Sequence, residues 1–552
     1  MKNSTYLTII TFLLFASCIR NSTEPMRPSV IGTPPQNAYT GLVSLDNEEI
    51  RHYGPNMYIS SMDNGIKWDT VFVPDGKLYG KKDPISGEFI RIYSGNKDSV
   101  YAIRSVGGID GKWTKTLIDT NGAIMIKPMV YIRNGTRAIA GFHTKYRNGC
   151  GVYYSDDSGL TWKKSNQVHS PAHKAEGFHK GQRWNHGAVE PSVVELKDGR
   201  LWMLIRTAQD NLYESFSENA GESWSTPVPS RFYGTITMPT IQRLKNGSLL
   251  LIWCNTTPLP EVKHTGGYWE DVFTNRDALH ATISDDDGKT WTGFREIYLN
   301  PLRNDSLMAT RYGTMGSLDR SVHQSELIEI DEDKVLIAFG QHPKFRKILT
   351  LDLNWLYEKE SFDNFSNGLA HWSYHKYIKG IKGHCAYNRK PGAFLISHPE
   401  KPNRKVMLLK AESDSTLLGS YRGALFNFPA GQKGEIQLRI KINKGFEGML
   451  MSLHDRWFNP IDTVAKHYSM FNVKIEEEFL NPDIWYDLKL EWKNANNDKT
   501  GYCNLFIDDK MMKKIPIENK SRNGISYIHF SLPLIEDVNE GILIESIITK
   551  IE

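Results

Sequence analysis

The sequence lacks the short motifs that mark several common enzyme classes. Its 552 residues contain no Cys-x-x-Cys pair, no Gly-rich phosphate loop and no Gly-x-Ser-x-Gly, which argues against a structural zinc site, a nucleotide-phosphate cradle and a serine-hydrolase elbow. Charge of one sign is also scarce, because 67 basic and 63 acidic residues leave a net charge of only +4, with no basic run. We therefore expect no metal, no cofactor and no nucleic-acid partner.

Cysteine is scarce as well, and one of the five, Cys18, stands two residues beyond the end of the apolar run 6–16. This run, preceded by Lys2, is too short to span a bilayer and has the form of a signal peptide. It ends in Leu-Phe-Ala-Ser-Cys, which resembles a bacterial lipobox, whose cysteine is lipidated after cleavage. We predict a lipoprotein-type signal peptide over 1–18, lipidation of Cys18 and a linker over 19–39.

These features predict an exported bacterial lipoprotein of the periplasm or of the outer membrane or cell surface. It would touch the membrane through its lipid anchor only. The alternative, an ordinary cleaved signal peptide, also implies export.

The sequence does contain a repeated eight-residue turn motif, Ser-x-Asp-x-Gly-x-x-Trp. It occurs in full at 61–68, 155–162 and 284–291, and at 217–224 with Asn219 in place of the aspartate. In such a turn the aspartate can accept hydrogen bonds from nearby backbone N–H groups, the glycine relieves backbone strain, and the tryptophan packs between sheets. These acidic residues are therefore predicted to be structural rather than catalytic.

A second repeat precedes the turns and consists of a strand, a tight turn and another strand. Asn-Gly or Asp-Gly separates the apolar runs at Gly135, Gly199 and Gly247, which is a strong hairpin signal. Hairpins that alternate with aromatic turns are typical of propeller blades. We predict an all-β protein: a six-bladed β-propeller over 40–358 and an antiparallel β-sandwich over 359–552. The sandwich, with its cleanly alternating strand at 485–492, resembles the legume-lectin or laminin-G type.

The inner strands of a propeller face one central channel, so equivalent positions of different blades converge there. The repeat alignment assigns charged or hydrogen-bonding residues to these positions, namely Lys127, His143, Glu190, Arg206 and Gln324, and places Asn255 one residue beyond such a position. Charged side chains at the inner ends of apolar strands are costly unless they are paired or functional. A purely structural Glu190–Arg206 ion pair is the alternative to a binding site.

The segment from Glu190-Pro191 to Arg206 resembles the blade of sialidases that carries the catalytic glutamate and the second of three arginines. With its turns, the region 40–358 is similar to the BNR or Asp-box propellers of the sialidase superfamily. Arg276 begins a segment that resembles the one carrying the third arginine. The resemblance implies a catalytic Glu190, and it implies that Arg206 and Arg276 bind a sugar carboxylate, which the guanidinium fork suits.

Two features of that family are missing. Sialidases have a nucleophilic tyrosine at the start of the last blade, where this chain has His323, and Tyr312 lies eleven residues earlier on a predicted loop. The Arg-Ile-Pro signature of the first blade is also absent, and Arg91-Ile-Tyr is a poor echo of it. No aspartate stands out as the catalytic acid.

The sequence therefore predicts an exo-acting glycoside hydrolase that resembles sialidases and cleaves a terminal, acidic sugar from glycans. Glu190 would act as general base or activate a nucleophile, and His323 or Tyr312 would replace the missing tyrosine. Further predicted substrate-binding residues are Lys127, His143, His186, Asn255 and Gln324. Two alternatives stay open: a polysaccharide lyase acting on uronates through His323 and Tyr312, and a non-catalytic carbohydrate-binding propeller.

Overall fold

The computed structural model describes residues 25–552 apart from 97, 126, 175, 179–182, 184–186, 258–275, 301–320, 342–345, 378–388, 415–421 and 534–537. The predicted signal peptide with Cys18 lies outside the described residues, as do His186 and Tyr312. No helix in the described part of the chain is long and apolar enough to cross a membrane.

Six antiparallel sheets form the propeller, preceded by strand β1 (Ser29–Gly32). Blade 1 contains β2 (Leu42–Ser44), β3 (Ile50–Tyr53), β4 (Met57–Ser61) and β5 (Asp69–Phe72), and blade 2 contains β6 (Lys81–Lys82), β7 (Phe89–Ser94), β8 (Val100–Val106) and β9 (Lys112–Asp119). Blade 3 contains β10 (Ala123–Ile124), β11 (Val130–Ile132), β12 (Arg137–Thr144), β13 (Cys150–Ser155) and β14 (Lys163–Lys164).

The remaining blades follow the same plan. Blade 4 contains β15 (Val189–Glu195), β16 (Leu201–Arg206), β17 (Asn211–Ser217) and β18 (Val228–Tyr233), and blade 5 contains β19 (Thr240–Arg243), β20 (Leu249–Trp253), β21 (Ala278–Ser284) and β22 (Thr292–Leu299). Blade 6 contains β23 (Glu326–Asp331), β24 (Lys334–Phe339) and β25 (Lys347–Asp352). The predicted all-β class with six blades is what the structure has.

The N-terminal strand closes the ring. Strand β1 pairs antiparallel with β25 and so supplies the outer strand of the last blade. Backbone N–H groups of Gly41 and Leu42 then donate to the Glu326 carboxylate at 3.1 and 3.2 Å, which joins blade 6 to blade 1. The linker predicted over 19–39 is corrected at Ser29–Gly32, because Ile31 packs into the apolar cluster of blades 1 and 6.

The four turn motifs connect the last two strands in blades 1, 3, 4 and 5. In every copy the serine hydroxyl accepts the N–H of the glycine at 2.8–2.9 Å. The Asp or Asn side chain accepts the backbone N–H four residues later, also at 2.8–2.9 Å. These bonds are local, so the structural role predicted for the turns is confirmed.

A short 3₁₀ helix, Leu353–Tyr357, ends the propeller, and two antiparallel sheets follow. One sheet contains β26 (Glu360–Asp363), β30 (Ala393–Ser397), β31 (Lys405–Glu412), β33 (Gly434–Ile442), β36 (Trp485–Lys493), β37 (Tyr502–Ile507), β38 (Lys510–Pro516) and β40 (Val538–Ile551). The other contains β27 (Trp372–Ser373), β32 (Arg422–Gly431), β34 (Met449–His454), β35 (Phe471–Ile475) and β39 (Ile525–Leu532), and β28 (His375–Tyr377) pairs with β29 (Arg389–Pro391) beside it. The sheets share one core that includes the fully buried Trp372 and Trp492.

The sandwich packs against blade 5 of the propeller. Ala278 of β21 lies in one apolar cluster with Trp457, Phe458 and Tyr527 of the sandwich. The Tyr527 hydroxyl lies 2.5 Å from Nε2 of His280 and donates to Glu296 at 2.7 Å. The junction therefore combines apolar burial with hydrogen bonds between the two domains.

Candidate active site

A cavity of about 740 Å³ lies at the mouth of the central channel, and residues from all six blades line it. Five of the predicted site residues share this lining, namely Glu190, Arg206, Arg276, His323 and Gln324. They come from blades 4, 5 and 6, which are far apart in sequence but adjacent in the ring. The cavity lies at the end of the blades opposite the Asp turns, because the third strand of each blade runs from the cavity to its turn.

Glu190 and Arg206 form a buried ion pair, with Nη1 2.7 Å from Oε2 and side chains that are 2% and 4% exposed. Strands β15 and β16 place Val189 opposite Arg206, and their register shifts between Val189 and Ser192. Glu190, within this irregularity, has φ 51°, a left-handed conformation that is costly for a residue other than glycine. Gln324, at the equivalent position of blade 6, has φ 66°, so both blades use the same strained geometry at the cavity.

The ion pair keeps Glu190 ionised. Burial by itself raises the pKa of this carboxyl, but the Arg206 guanidinium and then His143 outweigh burial, and the pKa lies below its ordinary value. Burial lowers the pKa of Arg206, which the Glu190 charge opposes. An anionic Glu190 can accept a proton or orient a water molecule, but it cannot donate a proton at neutral pH.

Arg276 and His323 form the second close pair in the cavity. Arg276 Nη1 lies 2.8 Å from His323 Nε2, and the Met238 N–H faces His323 Nδ1 at 3.4 Å. Because a guanidinium only donates, Nε2 of His323 is the acceptor from Arg276, and a neutral ring then carries its proton on Nδ1, so the 3.4 Å contact with the Met238 N–H adds no hydrogen bond. The Nε2 lone pair is used by Arg276 in this arrangement, so a nucleophilic His323 would require Arg276 to move.

Two arginines that the sequence reasoning did not assign also line the cavity. Arg147 lies in the turn after β12 with φ 55°, and Arg91 lies in β7 with its guanidinium 3.9 Å from the ring centroid of Tyr79. Asp75 and Lys77 reach the cavity from the connection between blades 1 and 2. Arg147 stands four residues beyond His143 and outside β12. Its position depends on the conformation of the loop, which the alternation of side chains along a strand does not predict. Arg91 begins the tripeptide Arg-Ile-Tyr, which partly matches the Arg-Ile-Pro signature that this chain lacks.

His143 is buried and Lys127 is half-buried, and neither is among the residues that line the cavity. Lys127 Nζ donates to the Ser325 carbonyl at 3.0 Å and also bonds Oγ1 of Thr240, inside a second cavity of about 370 Å³ along the channel. Burial lowers the pKa of Lys127 to about 7, although Glu190 and Glu326 oppose this shift. Burial likewise lowers the pKa of His143 to about 4.

Asn255 lies at the junction between the domains, which corrects its prediction as a substrate-binding residue. Its Nδ2 donates to the Asp455 carbonyl at 3.0 Å, and its carbonyl accepts the N–H of Trp457 at 2.9 Å. Asn255 stands one position beyond the residue equivalent to Arg206, and side chains at successive strand positions point to opposite faces. Because Asn255 is one residue further along than the position equivalent to Arg206, its side chain points away from the cavity.

No group of three or more His, Cys, Asp or Glu side chains that could hold a metal ion occurs among the described residues. The ionisable groups that line the cavity in the described part of the chain are carboxylates, guanidinium groups, tyrosines, one lysine and one imidazole.

Residues 42–316 match the family model of the BNR repeat-like domain. The greater part of the propeller is therefore similar to the BNR repeat-like domain. No curated protein matches the chain. Similar solved structures include a protein of unknown function from Dyadobacter fermentans, at 17% identity and TM-score 0.37, which covers 59% of this chain and 97% of its own.

Two sialidases are also among the similar structures. The Trypanosoma rangeli sialidase, solved with 2,3-difluorosialic acid as a covalent intermediate, is 11% identical with TM-score 0.31 and covers 96% of this chain and 94% of its own. A mutant of the NanB sialidase from Streptococcus pneumoniae is 13% identical with TM-score 0.38 and covers 60% and 71%.

Proposed function

We propose that the protein is an exo-acting glycoside hydrolase that removes a terminal acidic sugar from a glycan. The observation that carries the proposal is one cavity in which an ionised glutamate stands beside arginines of two blades, Glu190 with Arg206 and Arg276. Concave sites with a few convergent polar groups are the usual form of small-ligand sites. A cavity walled by all six blades accepts the end of a glycan chain rather than its middle.

Arg206 and Arg276 would bind the carboxylate of the sugar. Both guanidinium groups lie at the cavity, and Arg206 already holds one carboxylate, that of Glu190, at 2.7 Å. His323 supports this role by accepting from Arg276 at 2.8 Å, which fixes the plane of the guanidinium. A guanidinium held in this way offers its remaining N–H groups to the ligand in a defined direction.

Glycoside hydrolysis generally requires two carboxyl groups, one acid and one base or nucleophile. Two carboxylates line the cavity among the described residues, the buried Glu190 and the exposed Asp75. We assign the base to Glu190, which is held as an anion, and the proton donor to Asp75 at the rim, where a leaving group would depart. The water or side chain that Glu190 activates attacks the anomeric carbon while Asp75 protonates the leaving oxygen.

The test is turnover of fluorogenic N-acetylneuraminide, glucuronide and galacturonide substrates by wild type and Glu190→Gln. General-base removal lowers kcat by about 10²–10⁴-fold, so we expect a loss of this size. Glu195→Gln is the matched control, because Glu195 ends the same strand and its carboxylate accepts only the Arg133 N–H, at 3.0 and 3.2 Å, in the described structure. Asp75→Asn should lose activity most on substrates with poor leaving groups.

Two outcomes would overturn hydrolysis. An unsaturated product that absorbs in the ultraviolet would indicate elimination, the lyase alternative. Full turnover by Glu190→Gln would remove Glu190 from the catalytic machinery, and binding of these glycosides by wild type without any turnover would favour a carbohydrate-binding propeller. Product analysis by mass spectrometry distinguishes the first case, since hydrolysis adds water and elimination does not.

Lipid anchoring through Cys18 is a second part of the proposal, supported by the apolar run and the Leu-Phe-Ala-Ser-Cys sequence. In a bacterial host, Cys18→Ser should move the protein from the detergent-soluble membrane fraction to the soluble fraction and abolish incorporation of labelled palmitate. An unchanged membrane fraction without label would contradict it.

A further inference from the structure

We propose that blades 1, 2 and 3 contact the lipid bilayer through their turn end when the protein is anchored at Cys18, so that the cavity opens away from the membrane. The turn end is the end of the blades that has the Asp turns and lies opposite the cavity. This inference rests on the lipid anchoring proposed above. It goes further by assigning one face of the propeller and one class of partner, the headgroup and acyl boundary of a lipid surface.

The N-terminal segment meets the propeller at the turn end. The Met26 N–H donates to Oδ2 of Asp352 at 3.4 Å. Asp352 lies opposite Lys334, the residue at which blade 6 turns from β23 into β24. From Met26 the chain runs along β1 toward the cavity, which Asn37 and Ala38 line. An anchor that precedes Met26 therefore pulls on the end opposite the cavity.

The segment between Cys18 and Met26 is short. Met26 stands eight positions beyond Cys18, so this segment reaches at most about 29 Å when fully extended. A seven-residue strand such as β15 is already about 23 Å long. An anchor that held the cavity end at the membrane would use most of its reach in passing along a blade. The turn end requires no such detour.

Exposed apolar side chains follow the turn end through consecutive blades. They lie beside the N-terminal segment, in the turns of blades 1 and 3 and in both turns of blade 2, and are 55–74% exposed: Met26, Met62, Ile66, Ile85, Val106 and Leu160. The series begins at β1, because Trp68 of the first turn packs in one apolar cluster with Ile31. Single exposed apolar residues are ordinary, but a group of them at one end indicates a contact surface.

The turn motif provides an internal comparison. The residue after its glycine is Ile66 in blade 1 and Leu160 in blade 3, but Glu222 in blade 4 and Lys289 in blade 5, and all four are exposed. The backbone bonds of the four turns are the same, so the fold does not require an apolar residue at this position. One half of the turn end is thus apolar at a position where the other half is charged. The sandwich packs on blade 5 and leaves the apolar half uncovered.

Charged side chains of both signs stand among the apolar ones, for example Lys67 and Glu48, which are exposed. Such a mixture suits the headgroup level of a bilayer, where apolar side chains enter the acyl boundary and charged ends stay in water. The contact is therefore interfacial, and it depends on the anchor to hold the surface at the membrane.

Hydrogen–deuterium exchange with mass spectrometry tests the contact. Lipidated protein purified from bacterial membranes is returned to phosphatidylcholine vesicles, and Cys18→Ser in solution is the reference. We expect the amides of the turns at 61–68 and 155–162 to exchange at least about threefold more slowly on vesicles, because the contact excludes water. The turns at 217–224 and 284–291 should exchange equally in both samples.

Ile66→Ser/Leu160→Ser should abolish this slowing, although the protein stays on the vesicles through its lipid. Phe72→Ser/Val228→Ser is the matched control and should keep it. Phe72 and Val228 are also exposed apolar residues, at 71% and 50%, but they lie in the outer strands β5 and β18 rather than in the turns.

Equal slowing in all four turns, slowing at the cavity mouth, or no slowing would overturn the inference. Slowing in solution that increases with protein concentration would assign the surface to a second copy of the chain and would also overturn it. A Cys18 without lipid would remove the anchoring proposal alone. Six histidines placed before Ile19 then hold the chain on vesicles that contain nickel-chelating lipid, and the same exchange pattern decides the inference.

Discussion

The turn end of the blades is nearly the same from one blade to the next, whereas the cavity end has different residues in each blade. The four turns reproduce the same bonds at 2.8–2.9 Å, even where Asn219 replaces the aspartate. The equivalent residues at the cavity end are unlike one another, for example Glu190 in blade 4 and Met238 in blade 5. The repeated end stabilises the fold through local bonds, and the divergent end carries the buried charge from which we argue chemistry.

The largest effect on stability should come from Arg206→Ala at the cavity end. This change leaves Glu190, 2% exposed, as a buried and unpaired carboxylate, and breaking such a pair costs about 3–5 kcal/mol. Urea denaturation of the purified protein, followed by tryptophan fluorescence, measures the loss in free energy of unfolding.

The double variant Glu190→Gln/Arg206→Ala separates the buried charge from packing. Because the unpaired anion is then gone, it should recover a substantial part of the stability that Arg206→Ala loses. A single-variant loss below about 1 kcal/mol would mean that the two ends of the blade do not differ in the way described.

Lys127, at the cavity end of the blades, should make the stability of the protein depend on pH. The pKa of Lys127 is lowered to about 7 in the folded protein, while the unfolded chain keeps the ordinary value. Between these two values the unfolded chain binds the proton that the native protein lacks, so stability rises with pH through this window. Relative to Lys127→Met, wild type should gain roughly 2 kcal/mol between pH 7 and pH 9.

Thermal or chemical unfolding of the two proteins at several pH values measures this difference in free energy of unfolding. Contributions from titratable groups that both proteins contain cancel in the difference. Lys67→Met, an exposed lysine of the first Asp turn, is the control and should show no comparable trend. A constant difference between wild type and Lys127→Met across the window would show that Lys127 keeps its proton in the folded protein.

Asp157→Ala tests the turn end and should have a smaller effect, confined to stability. The Asp157 carboxylate accepts the N–H and the hydroxyl of Thr161 at 2.9 and 2.6 Å and the hydroxyl of Ser155 at 2.8 Å. Losing these partly exposed bonds should cost about 1–2 kcal/mol. Turnover per folded molecule should stay at the wild-type level, and a fall in kcat would contradict the division of roles between the two ends.

Features that depend on local sequence could be predicted, whereas features that depend on distant pairing or on loop conformation could not. The turns and the Glu190–Arg206 pairing were predictable, because an eight-residue motif and a hairpin register are local. Strand β1 was not, because Ser29–Gly32 gains its order from pairing with a strand more than 300 residues away. Arg147 was not predictable either, since its position depends on a left-handed turn outside the strand repeat.

The smallest effect should come from Asn219→Asp, which restores the full motif in the fourth turn. Asn219 Oδ1 accepts the N–H of Ser223 at 2.9 Å, and its Nδ2 donates to the Ser223 hydroxyl at 2.9 Å. That hydroxyl can reverse and donate to a carboxylate, as Thr161 does to Asp157. Every bond is then kept, so the free energy of unfolding at pH 7 should change by less than about 0.5 kcal/mol.

The sign of a pH dependence makes this small effect measurable. In the same geometry, burial raises the pKa of Asp157, but bonds from Thr161 and Ser155 outweigh burial and lower it below its ordinary value. A carboxylate at 219 should therefore stabilise the fold above the ordinary aspartate pKa of about 4 and lose this contribution as the pH falls through the lower folded value. Between about pH 5 and pH 3, the free energy of unfolding of Asn219→Asp should fall relative to that of wild type. A variant that instead gains on wild type as the pH falls would show that the fourth turn does not reproduce the environment of the other three.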